Sequence, residues 1–228
     1  MKKRIFSYVI ILIGIFLFYQ KDIAYAAGPT IIKTEITTPT TWTKSGSPYI
    51  IRTQYGGTLW VNSSLTIDPG VVVKFDGPYS GLSISGTLTA IGTADEKIIF
   101  TSLKADTYGG DSNNDGSATV AVKGEWYAII NNGTSVFDNA TVLYGSSSPG
   151  TGSIFSYSNN LTVKNSTIRY AAYSGIALYN VSTTVIENNV IADNTTGIRL
   201  EKFVSGKVVT VSHNMIANNQ FGATVAGI

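Results

Sequence analysis

The residues best suited to chemistry form one short run, Asp111-Ser-Asn113-Asn-Asp115-Gly116-Ser117-Ala-Thr119. It matches the first half of a calcium loop. Oxygen ligands at its first, third and fifth positions can converge on one cation, and glycine at the sixth permits the sharp turn. The Ser117 carbonyl would be the seventh-position ligand and Thr119 the ninth. Val122 stands where a closing glutamate belongs, and the nearest acids, Asp106 and Glu125, lie off the standard spacing. Asp, Asn and Gly are also what an exposed turn selects, so a plain polar turn is the competing reading. Three ligand types and the glycine agree, which favours bound Ca²⁺. A wider set of acids, Asp95, Glu96, Asp106, Asp111, Asp115 and Glu125, gathers in the same stretch. Elsewhere chemistry has little to use. The single histidine, His213, is the only base for a Ser/His/Asp triad, and it sits beside Asn214 where a polar turn explains it. The aromatics Trp42, Trp60, Trp126, Tyr127, Tyr144, Tyr170 and Tyr173 are possible sugar-stacking platforms. Strand alternation from Val142 and Ile168 points Tyr144 and Tyr170 inward as a core stack.

Composition removes whole classes of function. No cysteine is present, so disulfides, thiolate metal sites and Cys nucleophiles are excluded, and two methionines with one histidine argue against copper handling. Only 13% of the 228 residues are charged. The basic excess is confined to Met1–Ala26, where Lys2-Lys3-Arg4 precedes the apolar run Ile5 to Phe18 and the small-residue triplet Ala24-Tyr25-Ala26. That order predicts a cleavable secretory signal, with a mature chain that is extracellular or on the cell surface. The apolar run is shorter than the roughly 20 residues a bilayer-spanning helix needs, and no later stretch is longer. Without the signal, 12 basic residues face 13 acidic ones. This is no electrostatic footprint for nucleic acid.

The elements that must carry these residues are strands. Short runs rich in Val, Ile, Thr and Tyr recur between Gly, Asn and Ser, and no dozen residues after Gly28 show helical periodicity. Asn189 to Gly197 aligns without gaps on Asn214 to Gly222, at an offset of 25 residues. Leu161 to Ile168 repeats the pattern one period earlier, and Asn139 to Tyr144 repeats it again. A second strand recurs as Gly175-Ile-Ala-Leu178, Gly197-Ile-Arg-Leu200 and Gly222-Ala-Thr-Val225. A period of 22–26 residues with two or three strands per turn predicts a parallel β-helix, whose coils stack about 4.8 Å apart. The predicted inward ladders are Phe137/Val163/Ile186/Val211 and Val142/Ile168/Ile191/Ile216. Asparagine ladders are predicted at Asn189/Asn214 and Asn194/Asn219.

Three stretches carry a family resemblance: Leu65-Thr-Ile-Asp-Pro-Gly-Val-Val-Val-Lys-Phe75, Leu82 to Gly92 with Ile98 to Ser102, and Glu125-Trp-Tyr-Ala-Ile129. They resemble the coils of secreted bacterial right-handed parallel β-helix proteins of the broad pectate-lyase-like group. The resemblance implies an all-β, right-handed, single-stranded solenoid of roughly eight coils. We expect a signal peptide at 1–26, a lead-in and cap at 27–55, and the β-helix at 56–228 with a loop insertion at 104–124. Hydrolases of this fold need paired carboxylates, and lyases combine calcium-binding acids with an Arg or Lys base. The repeat offsets place Asp193 opposite Asn218 and Tyr170, Asp138 opposite Lys164, Glu187 near Lys164 and Ser212, and Glu201 near Tyr179. None faces another acid. The expected function is therefore a non-catalytic module binding polysaccharide or another cell-surface ligand. The alternative is a calcium-dependent polysaccharide lyase or glycoside hydrolase with its site in residues 95–127. The uncharged last strand, Phe221 to Ile228, further predicts a β-helix truncated at its C-terminus and prone to end-to-end self-association.

Overall fold

A computed structural model describes residues 28–181, 183–202 and 208–226. The predicted signal at 1–26 lies outside them. The described chain winds through short strands that fall into three parallel sheets of eight, seven and seven strands. In the first sheet, Thr30–Ile32, Tyr49–Ile51, Val72–Phe75, Ile98–Ser102, Ala140–Leu143, Thr167–Arg169, Val190–Ala192 and Met215–Ala217 stack in that order. Each coil adds one strand to each sheet, which makes about seven coils rather than eight. The difference arises because the 26 residues between Ser102 and Ile129 hold no strand, and so add length without adding a coil. Strands within 27–55 already pair into the same sheets, so stacking begins before residue 56.

The repeat offsets gave the register correctly. Phe137, Val163, Ile186 and Val211 are consecutive partners, as are Val142, Ile168, Ile191 and Ile216. The second repeated strand pairs as Ile176↔Ile198↔Ala223. Their inner columns form one continuous apolar core, including Phe75, Phe100, Phe137 and Trp126, all with no exposed surface. Trp126 stacks on Phe75 at 4.2 Å between ring centroids and donates its indole N–H to Leu143 O at 2.7 Å.

Two turns repeat with one backbone device. Asn139, Asn165, Asn188 and His213 all have φ between +49° and +57°, and Tyr144, Tyr170, Asp193 and Asn218 lie between +55° and +65°. Such left-handed residues bend the chain sharply, and Asn, Asp and His tolerate them better than most. In the lower coils an inward asparagine follows each one. Asn189 accepts from Ser166 N and donates to Val163 O and Asn214 Oδ1, each at 2.9 Å. Asn194 accepts from Ala171 N at 2.9 Å and donates to Ile168 O at 3.1 Å. The predicted asparagine ladders are thus present, and they satisfy the backbone groups that the bend takes out of the sheet. His213, 79% exposed at its side chain, is one member of the turn column.

The left-handed turn also corrects an expectation. Tyr144 and Tyr170 do stack, at 5.3 Å with planes 14° apart, but they do not point into the core. Strand alternation fails at a residue with positive φ, and both rings lie half-buried on the outside of the turn, beside Arg169.

Candidate functional site

Residues 103–127 leave the coil after Ser102 and fold back over the outer face of the first sheet before Trp126 returns to the core. The cover is close enough to bury outward-facing Ile50 and Lys74. Within it Asp106, Asp111 and Asp115 come together, with one carboxylate oxygen from each lying within 4.8 Å of the others. The loop Asp111 to Thr119 is shaped by its own carboxylates. Asp111 accepts from Asp115 N at 3.1 Å and Gly116 N at 2.9 Å. Asp115 accepts from Ala118 N and Thr119 N, both at 3.1 Å, and from the Thr119 hydroxyl. These donors, the Thr119 hydroxyl first, hold the Asp115 carboxyl below its ordinary range.

The expected ligand set is only partly assembled. Asp111 and Asp115 converge as the spacing predicts, and Asp106 joins them. Asn113 turns its amide NH₂ to Asp115 at 2.8 Å, leaving its Oδ1 buried without a partner. Ser117 donates its hydroxyl to Asp106 Oδ2 at 3.2 Å, while Asp106 Oδ1 is likewise buried and unpartnered. Glu125 does not join: Lys104 holds it at 2.8 Å. The wider gathering of six acids dissolves in the same way. Glu96 pairs with Lys44, and Asp95 is exposed at a bend. Beside the three aspartates lies a hollow of about 280 Å³ lined by Lys104, Asp106, Tyr108, Thr119 and Tyr144.

The second sheet presents a different surface. It is built from Thr58–Val61, Gly81–Ile84, Ile129–Asn131, Gly152–Ser156, Ser174–Tyr179, Thr196–Glu201 and Phe221–Ala226. One outward column of it reads Trp60, Ser83, Ile130, Phe155, Ala177, Arg199. At about 4.8 Å per coil these six positions span roughly 24 Å along the axis. Tyr127, Ile130 and Tyr179 pack on Phe155, Ala128 and Ala177 as a small apolar cluster outside the main core. The rings of Phe155, Tyr157 and Tyr179 follow one another at 4.5 and 5.4 Å. Trp60 (52%), Tyr79 (75%) and Tyr157 (48%) remain broadly exposed. A hollow of about 480 Å³ between Tyr79, Tyr127 and Ser147 rims the same face. At its lower end Arg199 reaches Gly150 O and Glu201, and its Nε is buried without a partner.

Sequence reasoning named Trp60 and Tyr127 but missed Tyr79, Phe155, Tyr157 and Tyr179. The signal was available: Phe155 and Tyr157 alternate with Ile154 and Ser156, so the repeat that turns Ile176 inward turns both rings outward. Of the other expected platforms, Tyr173 is exposed, Tyr144 and Tyr170 are half-buried, and the two remaining tryptophans are taken up by the core. Trp42 stacks on Tyr49 at 4.8 Å in the core, and Trp126 is core as well.

The outer turn column offers no paired acids. Glu187 is held by Lys164 at 3.2 Å with His213 Nδ1 at 3.9 Å, and Asp193 by the Arg169 Nε at 2.8 Å. Among the described residues no helix is long and apolar enough to cross a membrane.

No curated protein and no solved structure matches the chain. A family model described as a right-handed beta helix region matches residues 108–227, just over half of the sequence, and covers both asparagine ladders and the inserted loop from Tyr108 onward. Three parallel sheets, coil-to-coil ladders and that match agree: the chain belongs to the right-handed β-helix family.

Proposed function

We propose that this is an exported β-helix module that binds polysaccharide without cleaving it, along the outer face of the second sheet. The observation that carries the reading is the aromatic and apolar column from Trp60 to Arg199, bordered by Tyr79, Tyr157 and Tyr179. Trp60, Tyr79 and Tyr157 stay broadly exposed along it, while Phe155 and Ala177 are buried beneath their neighbours and support them. Aromatic faces offer flat apolar area with a polar tip, which suits the C–H face and hydroxyl rim of a sugar ring. The coil repeat sets the outward positions about 4.8 Å apart along the axis, so a polymer lying along it can touch several of them at once. The export signal expected at 1–26 supports a ligand outside the cell or on its surface.

Calcium is the second element of this proposal. The donors are all oxygen, which suits a hard cation, and Asp106 Oδ1 and Asn113 Oδ1 are buried acceptors with nothing to accept from. Asp106, Asp111 and Asp115 would hold the ion, with Asn113, Ser117 and Thr119 completing the shell. The ion would supply charge neutralisation and order to the insertion.

Affinity electrophoresis of the mature chain in gels cast with neutral and acidic plant and bacterial polysaccharides tests the first element. Retardation by at least one glycan is expected, and it should vanish in Trp60→Ala and in the double variant Phe155→Ala/Tyr157→Ala while the far-UV spectrum is kept. Retardation that survives both variants refutes this face as the binding surface. The same glycans, incubated with the chain in calcium and in chelator and assayed for unsaturated uronates and reducing ends, decide against the lyase or hydrolase alternative if no product forms. For calcium, binding to the folded state raises the melting temperature by mass action. Millimolar Ca²⁺ should raise it, and Asp115→Asn should remove most of the rise.

A further inference from the structure

We propose that Lys74 is the built-in counter-charge of the aspartate cluster, and that its buried ammonium keeps residues 103–127 docked on the first sheet whether or not a metal ion is present. Lys74 is a lysine in an unusual place. Lys74 lies in the middle of the strand Val72–Phe75, on the outward face, between Ile50 and Thr101 in register. An outward lysine ordinarily carries its charge into water on its flexible stem. Lys74 has no exposed surface at all.

What covers it is the insertion, at two glycines. Gly109 and Gly110 have φ of +72° and +73°, and the Cβ that Gly109 lacks would lie 3.0 Å from Pro48 Cβ and 3.4 Å from Lys74 Cε. The backbone thus rests directly on the lysine stem. The ammonium donates to Gly110 O at 2.6 Å, one residue before the calcium-like run begins. No group on the sheet answers the charge. Ile50 is apolar, and the Thr101 hydroxyl is buried with no partner. The compensating charges come from the insertion alone: burial pushes the Lys74 pKa down, and Asp106 and Asp111 push it back up. Three carboxylates within 4.8 Å repel one another, and a buried ammonium without them has lost its hydration for nothing. Docking answers both at once. The insertion and the strand each need the other, and a bound ion would add to an attachment already made. This inference shares only the aspartate cluster with the calcium reading, so the two can fail separately.

The test is hydrogen exchange over residues 103–127 in the full chain, for the wild type and Lys74→Met, each in chelator and in millimolar Ca²⁺. Met keeps the stem and removes the charge and its donors. The wild type should be protected in both solutions. Lys74→Met should exchange at least about tenfold faster in chelator, as the loss of a charge-assisted bond implies, and recover protection in Ca²⁺. If Lys74→Met stays open even in Ca²⁺, the role of Lys74 stands and the calcium reading falls. If Lys74→Met is as protected as the wild type in chelator, or the wild type is protected only in Ca²⁺, the proposal is overturned. Should Lys74→Met fail to fold, the double variant Asp106→Asn/Asp111→Asn removes the same attraction from the other side. It must loosen the insertion in chelator, and undiminished protection there overturns the proposal as well.

Discussion

Truncating Asn189 should damage this protein more than its small, polar side chain suggests. The side chain is 1% exposed and makes three hydrogen bonds at 2.9 Å: from Ser166 N, to Val163 O and to Asn214 Oδ1. Asn189→Ala deletes all three and leaves the Ser166 N–H and the Val163 carbonyl facing a hole in a dry interior. A net loss of about 1 kcal/mol per bond, plus the desolvation cost of the stranded backbone groups, gives about 3–5 kcal/mol. For a chain of this length each kcal/mol shifts the melting temperature by about 2–4 °C, so a fall of roughly 6–20 °C is expected. The neighbouring residue is the control. Asn188 is exposed, holds φ at +57°, and donates one bond to Asn165 Oδ1 at 2.6 Å. Asn188→Gly loses that surface bond but keeps the turn without strain, and should stay within about 0.5 kcal/mol of the wild type. Asn188→Ala keeps a Cβ in the left-handed region but lacks the polar side chain that makes Asn tolerant of it, at a cost of about 1 kcal/mol. Thermal melts followed by circular dichroism should therefore rank Asn189→Ala well below Asn188→Ala, and that variant below Asn188→Gly. If Asn189→Ala melts no lower than Asn188→Gly, the ladder is not what joins these coils.

Trp126→Ala should cost about 3–5 kcal/mol in urea melts, since it empties a fully buried site stacked on Phe75 and strands the Leu143 carbonyl. Trp126→Phe keeps most of the volume but not the indole donor, and should fall between that variant and the wild type. Gly133→Ala should destabilise strongly although no positive φ is involved, because the added Cβ would lie 2.1 Å from Gly86 O, and backbone on the next coil cannot swing aside. A loss of under about 0.5 kcal/mol in urea would contradict that packing. Burial, then Tyr127, Tyr179 and Glu201, raises the Tyr157 pKa above 10.0. The unfolded chain therefore gives up this proton first, and stability should decline as pH climbs past about 10. Tyr157→Phe should flatten that decline in pH-dependent melts and remove one late-titrating phenol from the ultraviolet titration, leaving Tyr144 as another.

The fold was legible because a solenoid writes each structural decision several times. The match of Asn189 to Gly197 with Asn214 to Gly222 fixed not only the fold but the register, and the pairings Ile186↔Val211 and Ile191↔Ile216 follow directly from it. Legibility failed where repetition stopped. The stretch between Ser102 and Ile129 has no partner coil to compare with, so its length was counted as a coil and its acids as a single group. Tyr144 and Tyr170 went astray for a local reason. Period-two alternation assumes extended backbone, and a single left-handed residue per turn resets which side the next side chain faces.

The candidate surfaces divide along the same line, and the division has a physical cause. A β-helix core needs apolar residues in every coil, so the inner columns are tied to the repeat. The outer columns carry no such demand, and there the sequence is free to differ from coil to coil. In the column Trp60, Ser83, Ile130, Phe155, Ala177, Arg199 no residue type occurs twice, although the positions are in strict register. A ligand-binding face should look like this, since a uniform column would bind the same group at every coil and recognise nothing in particular. The insertion goes further by leaving the repeat altogether. It brings Gly109 onto Lys74 and three aspartates together, neither of which any coil-to-coil pattern encodes. The candidate functional residues of this chain are therefore those that depart from the repeat. They make up one outward column and one inserted loop, and each is open to test by substitutions that leave the inner ladders intact.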